Sequence, residues 1–235
     1  MGGRRASLRA QLSDRIRAAA LDELRRTGAA ALSLREVAKA ADISPSGLYR
    51  YVDGRDGLLE LLISDGFESF GRAIEEAVDA AGDDVIARLE AVALSYRRWA
   101  LDNPEQFGLI LGTPVPGFQA RTDGPTTASV RRFAEPMIRA VADASATGRS
   151  ANSGEAAGAT DDLGPIDPVT GALPESLHSV LARGWARIHG LVSLETCGHL
   201  VWSSADVDAL LRTEVRSILA ELGHQDVEPA AHISL

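Results

Sequence analysis

The 235-residue chain holds a single cysteine, Cys197. One thiol excludes an intrachain disulfide and any four-cysteine zinc site. No apolar run reaches the roughly 18 residues that a membrane-spanning helix needs. The opening stretch MGGRRASLRAQLSDR has no apolar core of the kind a secretory signal carries. The alternation with a period of two that marks half-buried strands is missing. So are a phosphate-binding P-loop, a dinucleotide-binding glycine pattern and a strand-turn-helix nucleophile elbow. These absences predict a cytoplasmic, all-helical protein without cofactor or metal.

Charge is unevenly placed. The formal net charge is −9, which at first argues against a nucleic-acid partner. Residues 1–60, however, carry 11 Lys/Arg against 8 Asp/Glu, whereas residues 61–235 carry 13 against 25. Arg4, Arg5 and Arg9 all precede the first acid, Asp14. A basic end can face phosphates while the acidic remainder keeps the protein soluble. Hydrophobic residues at 45% and charged residues at 24% fit ordinary globular domains, and the length suits two modest ones.

Helical spacing recurs along the chain. Leu12, Ile16, Ala20 and Leu24 are spaced i, i+4, and the pattern stops at Gly28. Ser33-Leu34-Arg35-Glu36 is a capping box that opens a second helix. After a turn at Asp42-Ile43, Ser44-Pro45 opens a third, with Ser44 as cap, Pro45 at the first helical position and Leu48 as inward anchor. A fourth helix is predicted from about Gly54 to Asp79, weakened by glycines at 57, 66 and 71. Gly82-Asp83-Asp84 precedes a fifth, and Asn103-Pro104 repeats the cap-then-proline signal before a short sixth through Leu111. Gly112 to Pro125 reads as loop and Thr127 to about Ala144 as a seventh helix. Residues 145–173 are rich in small and polar residues and poor in large apolar ones, so they read as a flexible linker. An eighth helix is expected over about 174–200 and a ninth over about 204–222. The organisation is then a basic arm at 1–10, a helix-turn-helix domain at 11–57 together with the start of the fourth helix to about 70, a larger domain at 58–225 that contains the linker, and a tail at 226–235.

A short helix, a tight turn and a second short helix form a helix-turn-helix, in which the second helix enters the major groove. The chemistry suits that role. Ser44 and the unpaired N–H groups beside it can meet a phosphate or a base edge. Pro45, Ser46 and Gly47 are small enough for close backbone approach. Tyr49, Arg50 and Tyr51 offer hydroxyl and guanidinium donors, and Arg50 can read guanine through a bidentate pair. Ser33 and Arg35 begin the second helix, near a flanking phosphate. Tyr49 and Tyr51 serve equally well as packing residues, and the arginines as solvated surface.

The stretch LSLREVAKAADISPSGLYRYVDGRDGLLELL resembles the DNA-binding domain of the tetracycline-repressor-like (TetR) family. The match runs through Val37-Ala38, Ile43-Ser44, Leu48-Tyr49-Arg50-Tyr51 and Arg55 and covers about residues 10–70. Val52 departs from it, standing where the family usually has Phe. The resemblance implies DNA contacts at Tyr49, Arg50 and Tyr51, and a phosphate contact at Arg55, where the family places a Lys. LARGWARIHGLVSLETCGHL resembles the subfamily whose C-terminal domain carries Trp, then His-Gly, here Trp185 and His189-Gly190. It implies a homodimer through the last two helices, with Gly190, Ser193, Cys197 and Gly198 allowing close approach. Leu194, Val201, Val207, Leu210, Leu211, Val215, Ile218 and Leu219 would supply the apolar area. It also implies an effector pocket with Tyr96, Trp99, Phe107, Leu111, Phe133, Met137, Trp185 and His189 as candidate lining, although aromatic residues at helical spacing are also ordinary core.

The expected fold is thus all-α with about nine helices: a three-helix DNA-binding domain and a larger helical ligand-binding and dimerisation domain. The expected function is a repressor released from a double-stranded inverted-repeat operator by a small apolar or amphipathic effector. Two other readings remain. One is a helical protein-interaction module that does not bind DNA. The other is a metal-dependent enzyme using Glu195 and His199 at i, i+4, or Glu175 and His178 at i, i+3. Neither pair has a third ligand, since His189 lies roughly 80° around the helix from His199, and Cys197 reads as a buried small residue.

Overall fold

The computed structural model describes residues 2–119, 124–151, 175–204 and 206–224. Among them are nine α-helices and one 3₁₀ turn, and no strand. The helices are α1 (Gly2–Thr27), α2 (Leu34–Ala40), α3 (Pro45–Leu48), α4 (Gly54–Ala80), α5 (Val85–Asp102), α6 (Pro104–Leu111), α7 (Pro125–Ala151), α8 (Glu175–Thr196) and α9 (Val207–Glu221), with the 3₁₀ turn at Ala29–Ala31. No helix among the described residues is long and apolar enough to cross a membrane.

The chain divides into two compact units. One is Met1–Glu68 with Asn103–Val130, the other Ser69–Asp102 with Arg131–Leu235. The first unit takes in the start of α4 to Glu68, and α6 with the loop after it, expected in the larger domain, joins it as well. The reason is packing: Leu109, Val115 and Phe118 lie against the core formed by Ile16, Leu24, Val37, Leu48, Leu58 and Leu62.

In the first unit, local signals set the helix ends. Gly28 closes α1 with φ 72°, its N–H donating to the Leu24 carbonyl at 2.8 Å. Ser33 caps α2 by accepting from the Glu36 N–H, and Ser44 caps α3 by accepting from the Gly47 N–H. Each such cap stabilises by about 1 kcal/mol. Asp42 ends α2 in the left-handed region, φ 53°, which Asp tolerates better than most residues. Paired bonds from Asp42 N–H to Lys39 O and Ile43 N–H to Ala38 O close that end. The Asn103 side chain, by contrast, makes no cap bond to α6, although Pro104 does sit at its first turn.

The glycines of α4 have a packing reason. A Cβ at Gly66 would lie 3.0 Å from Ile110 Cγ2, and one at Gly71 would lie 3.0 Å from Phe133 Cα. What reads locally as helix weakening permits close helix contact.

In the second unit, α5 packs on both α8 and α9, which also pack on each other. Phe70, Ile74, Leu89, Val92, Tyr96, Val192, Leu211, Val215 and Leu219 are buried there. Arg97 ties α5 to its neighbours, meeting Glu195 at 2.7 and 2.5 Å and Asp208 at 3.0 Å. Arg187 bridges Glu214 and Glu221 across α8 and α9.

Three boundaries depart from expectation. Helix α7 starts at Pro125 and continues through Ala151, so 145–151 is helix rather than linker. Its small residues pack: Ser145 is buried, and a Cβ on Gly148 would fall 2.3 Å from the Leu222 carbonyl oxygen. The rest of the expected linker lies outside the described residues, as does the tail from 226. Helix α8 ends at Thr196, not near 200, because Gly198 at φ 71° closes it. The bonds Gly198 N–H to Glu195 O and His199 N–H to Leu194 O complete that cap. Finally, α1 extends to Gly2, where an arm was expected.

Candidate nucleic-acid interface and effector region

The interface is built on α2 and α3. Leu48, 1% exposed, anchors α3 in the core of the first unit. With that side chain inward, α3 presents Ser44, Pro45 and Ser46 to solvent. Ser44 Oγ also lies 3.0 Å from Ser46 Oγ. A groove lined by Arg35, Lys39, Asp42, Ile43, Ser44 and Pro45 runs between the two helices. Arg35 and Lys39 are one turn apart on α2 and both exposed, so two cations flank the capped end of α3.

Helix α3 proper has four residues. Tyr49, Arg50 and Tyr51 lie in the turn that follows, held by Arg50 N–H to Gly47 O and Tyr51 N–H to Leu48 O. Tyr49 is 60% exposed, too open for a packing residue. The Arg50 side chain is exposed and makes no hydrogen bond among the described residues. Tyr51 is half-buried against the core, so its ring packs. Val52 is buried in the same core. Ser33 is half-buried and occupied as a cap. Arg55 donates from Nη2 to the carbonyls of Ala29 and Ala30, at 2.9 and 3.3 Å, fastening α4 to the 3₁₀ turn. Lys39 and Arg15 were not singled out from the sequence. Lys39 was legible as the i+4 neighbour of Arg35; Arg15, which holds the carbonyls of Ala41 and Asp42, had no local signal.

The effector candidates are divided between the two compact units. Phe107 and Leu111 belong to the first unit, and Tyr96, Trp99, Phe133, Met137, Trp185 and His189 to the second. In the second unit, Phe70 stacks on Trp99 with centroids 4.1 Å apart and meets Tyr96 at 4.7 Å and Phe133 at 4.8 Å. Phe70 reads from the sequence as a plain helix-core residue, yet it is the hub of this cluster. Trp99 Nε1 donates to Ser69 Oγ at 3.1 Å. The buried Tyr96 hydroxyl lies 2.9 Å from His189 Nδ1, and His189 Nε2 lies 3.2 Å from Ser193 Oγ. Burial pushes the Tyr96 phenol above its ordinary range and lowers His189, so both are neutral near pH 7. A neutral imidazole can then accept at Nδ1 and donate at Nε2. Trp185 stacks on His189 at 4.9 Å and is 42% exposed. Met137 is half-buried.

The Glu195–His199 metal reading does not hold. His199 lies past the end of α8, so it shares no helix face with Glu195, which is committed to Arg97. The Glu175 side chain lies outside what is described. Among the described residues no group of three or more His, Cys, Asp or Glu is placed to hold a metal. Cys197 is exposed rather than buried.

Comparison with known proteins gives a consistent answer. Residues 16–62 match the description "Bacterial regulatory proteins, tetR family", and residues 89–218 match "Tetracyclin repressor-like, C-terminal domain". The HTH-type transcriptional regulator Rv1816 of Mycobacterium tuberculosis is 36% identical over 148 residues, covering 60% of this chain and 62% of the relative. The chain thus spans less than two thirds of that curated relative's length. A crystal structure of SCO4313, described as a regulatory protein, superposes with a TM-score of 0.70 at 30% identity, covering 92% of this chain and 98% of that one. A protein of unknown function from Rhodococcus sp. RHA1 gives a TM-score of 0.67 at 25% identity, over 90% and 95% of the two chains. With both of its halves matched, the chain belongs to the TetR family of DNA-binding transcriptional regulators, a family of regulators and not of enzymes.

Proposed function

We propose that this regulator is a homodimeric repressor of an inverted-repeat operator, released by a small apolar or amphipathic effector. The observation that carries the reading is the capped end of α3, flanked by exposed Arg35 and Lys39 and followed by exposed Tyr49 and Arg50. Lys and Arg there neutralise phosphates, and Arg50 supplies base readout. Ser44, Pro45, Ser46 and Gly47 approach the backbone. Ser33 and Tyr51 support the fold of the interface more than they contact DNA. Arg55 keeps further donors for a phosphate beyond the Nη2 bonds already made. Selection of bound sequences from random duplexes by the purified protein tests the reading. The expected result is an inverted repeat with half-sites about 34–36 Å apart, centre to centre. An asymmetric selected site, or no enrichment, overturns it.

For the effector, the reading favours the aromatic cluster of the second unit around Phe70, Tyr96, Trp99 and Phe133, with Met137, Trp185 and His189. These rings touch one another, so a ligand must part them, at a cost met by burial of its own apolar surface. Tyr96 and His189 supply polar contacts. Phe107, buried, and Leu111, half-buried, belong to the first unit and are not needed for this reading. Helix α4 contributes Leu58, Leu59 and Leu62 to one core and Phe70 and Ile74 to the other, which makes it the element through which ligand biases DNA binding. Linkage sets a reciprocal requirement: ligand and operator weaken each other equally, typically by about 5- to 150-fold. Compounds that quench Trp99 fluorescence are expected to bind more weakly when operator is present. Equal affinity with and without operator rules out the coupling, and tighter binding reverses it to co-repression.

A further inference from the structure

Helix α1 starts well before its packed part. Residues 6–11 are all exposed, with Leu8 at 59%, and the first side chain laid against the core is Leu12. This overhang belongs to a continuous helix from Gly2. Its sequence has arginine at positions 4, 5 and 9 and no acid before Asp14. Positions 5 and 9 lie one turn apart along the helix. Residues 6–11 are not held by the apolar core.

The packed part of α1 that carries the overhang is fastened to the turn before α3. Arg15 donates to the carbonyl of Ala41 and, at 3.4 Å, to that of Asp42, with the Asp42 carboxylate 3.9 Å away. Those residues form the turn that delivers Ser44 and α3. At 1.5 Å per residue, position 9 lies about 9 Å and position 4 about 16 Å beyond Arg15 along the axis. Duplex DNA carries one charge per roughly 1.7 Å of its length, so a segment of this reach spans several phosphates.

We propose that the N-terminal overhang of α1, residues 2–11, is a second DNA-binding element that contacts backbone phosphates beside the site read by α3. It adds affinity and salt dependence without sequence preference. The inference rests on the reading that α3 binds DNA.

The test compares the intact protein with an R4A/R5A/R9A variant and an R4K/R5K/R9K variant. Each is titrated with the selected operator and with a scrambled duplex at several salt concentrations. In the alanine variant, the slope of log affinity against log salt is expected to fall by about 0.9 for each phosphate no longer neutralised, so by about 2–3 in all. Operator and scrambled duplex should weaken by the same factor, about tenfold or more near physiological salt, leaving their ratio unchanged. The lysine variant should restore slope and affinity. Thermal unfolding should not change, because residues 6–11 are exposed and lie outside the core. An alanine variant that keeps the original slope and affinity overturns the proposal while leaving α3 as the reader. So does one that loses binding to anionic vesicles but not to DNA, which reassigns the overhang to a membrane surface. An intact protein that binds no duplex overturns both this proposal and the reading of α3.

Discussion

Leu48→Ala and Tyr49→Ala, one position apart, are expected to separate folding from DNA contact. Leu48 is 1% exposed and anchors α3 among Ile16, Val37 and Leu58. Its truncation leaves a cavity and should cost about 2–5 kcal/mol. Against a typical total of about 5–15 kcal/mol, that is enough to lower the urea midpoint markedly and to disorder the DNA-reading turn. Tyr49 is 60% exposed, so its removal should change stability by no more than about 0.5 kcal/mol while weakening operator binding. Arg50→Ala should behave like Tyr49→Ala in denaturation, yet cost about 1–3 kcal/mol on the operator and relax preference at one base pair. Urea unfolding and a mobility shift on the same samples read both effects. Undiminished operator affinity in Tyr49→Ala and Arg50→Ala together would sink the docking of this turn. Arg55→Ala forms an intermediate case, because the guanidinium already holds two carbonyls of the 3₁₀ turn, and its loss should lower both stability and affinity.

Features fixed within a few residues were legible in the sequence. Ser33, Ser44, Gly28 and the Pro45 and Pro104 starts are local punctuation, and each stands at the helix end expected of it. Misreadings arose where a distant neighbour decides. Gly71 costs helix propensity locally, but its missing Cβ admits Phe133 and the Arg132 carbonyl, a contact far along the chain. Residues 145–151 resemble a linker in composition, because small residues that allow close packing and small residues that disfavour packing are the same residues. His199 paired with Glu195 only on the assumption that α8 continues; Gly198 ends it first. The groove between α2 and α3 was legible in outline, since the two helices adjoin in sequence, while the fastening by Arg15 was not. The effector candidates were least legible: aromatic spacing gives a helix face and not the unit it serves, and Phe107 serves a different one from Trp99.

The residues expected to supply a dimer's apolar area are differently placed in the structure. Val207, Leu211, Val215, Ile218 and Leu219 are buried within the subunit and leave little apolar area for a partner. What remains outside is Ala182, Ala186, Cys197 and Leu194 along α8 and its end, half-buried Gly190 and Ser193, and Val201 and Trp202 in the turn beyond it. Val201 is 88% and Trp202 77% exposed, and adjoining Leu194 and Cys197 in sequence they offer apolar area at this end of α8.

If this face forms the two-fold interface, Ala186→Glu should produce a folded monomer. Ala186 is exposed within the subunit, so the substitution disturbs no intramolecular core. In a symmetric interface the same surface appears on both partners, so each new carboxylate is buried facing its own counterpart or apolar surface, and the arginines beside it, Arg183 and Arg187, are already paired with Glu221 and Glu214. Monomerisation then unlinks the two DNA-reading elements. Linkage of two modules typically raises affinity by about 10²–10⁴, and operator binding should fall by a comparable factor, while affinity for a duplex carrying one half-site stays as before. Sedimentation gives the mass, and titration with full and half operators gives the two affinities. A variant that remains dimeric would show that the interface lies elsewhere. A monomeric variant with unaltered operator affinity would remove bivalence from the mechanism, and with it the need for recognition elements spaced one helical turn apart.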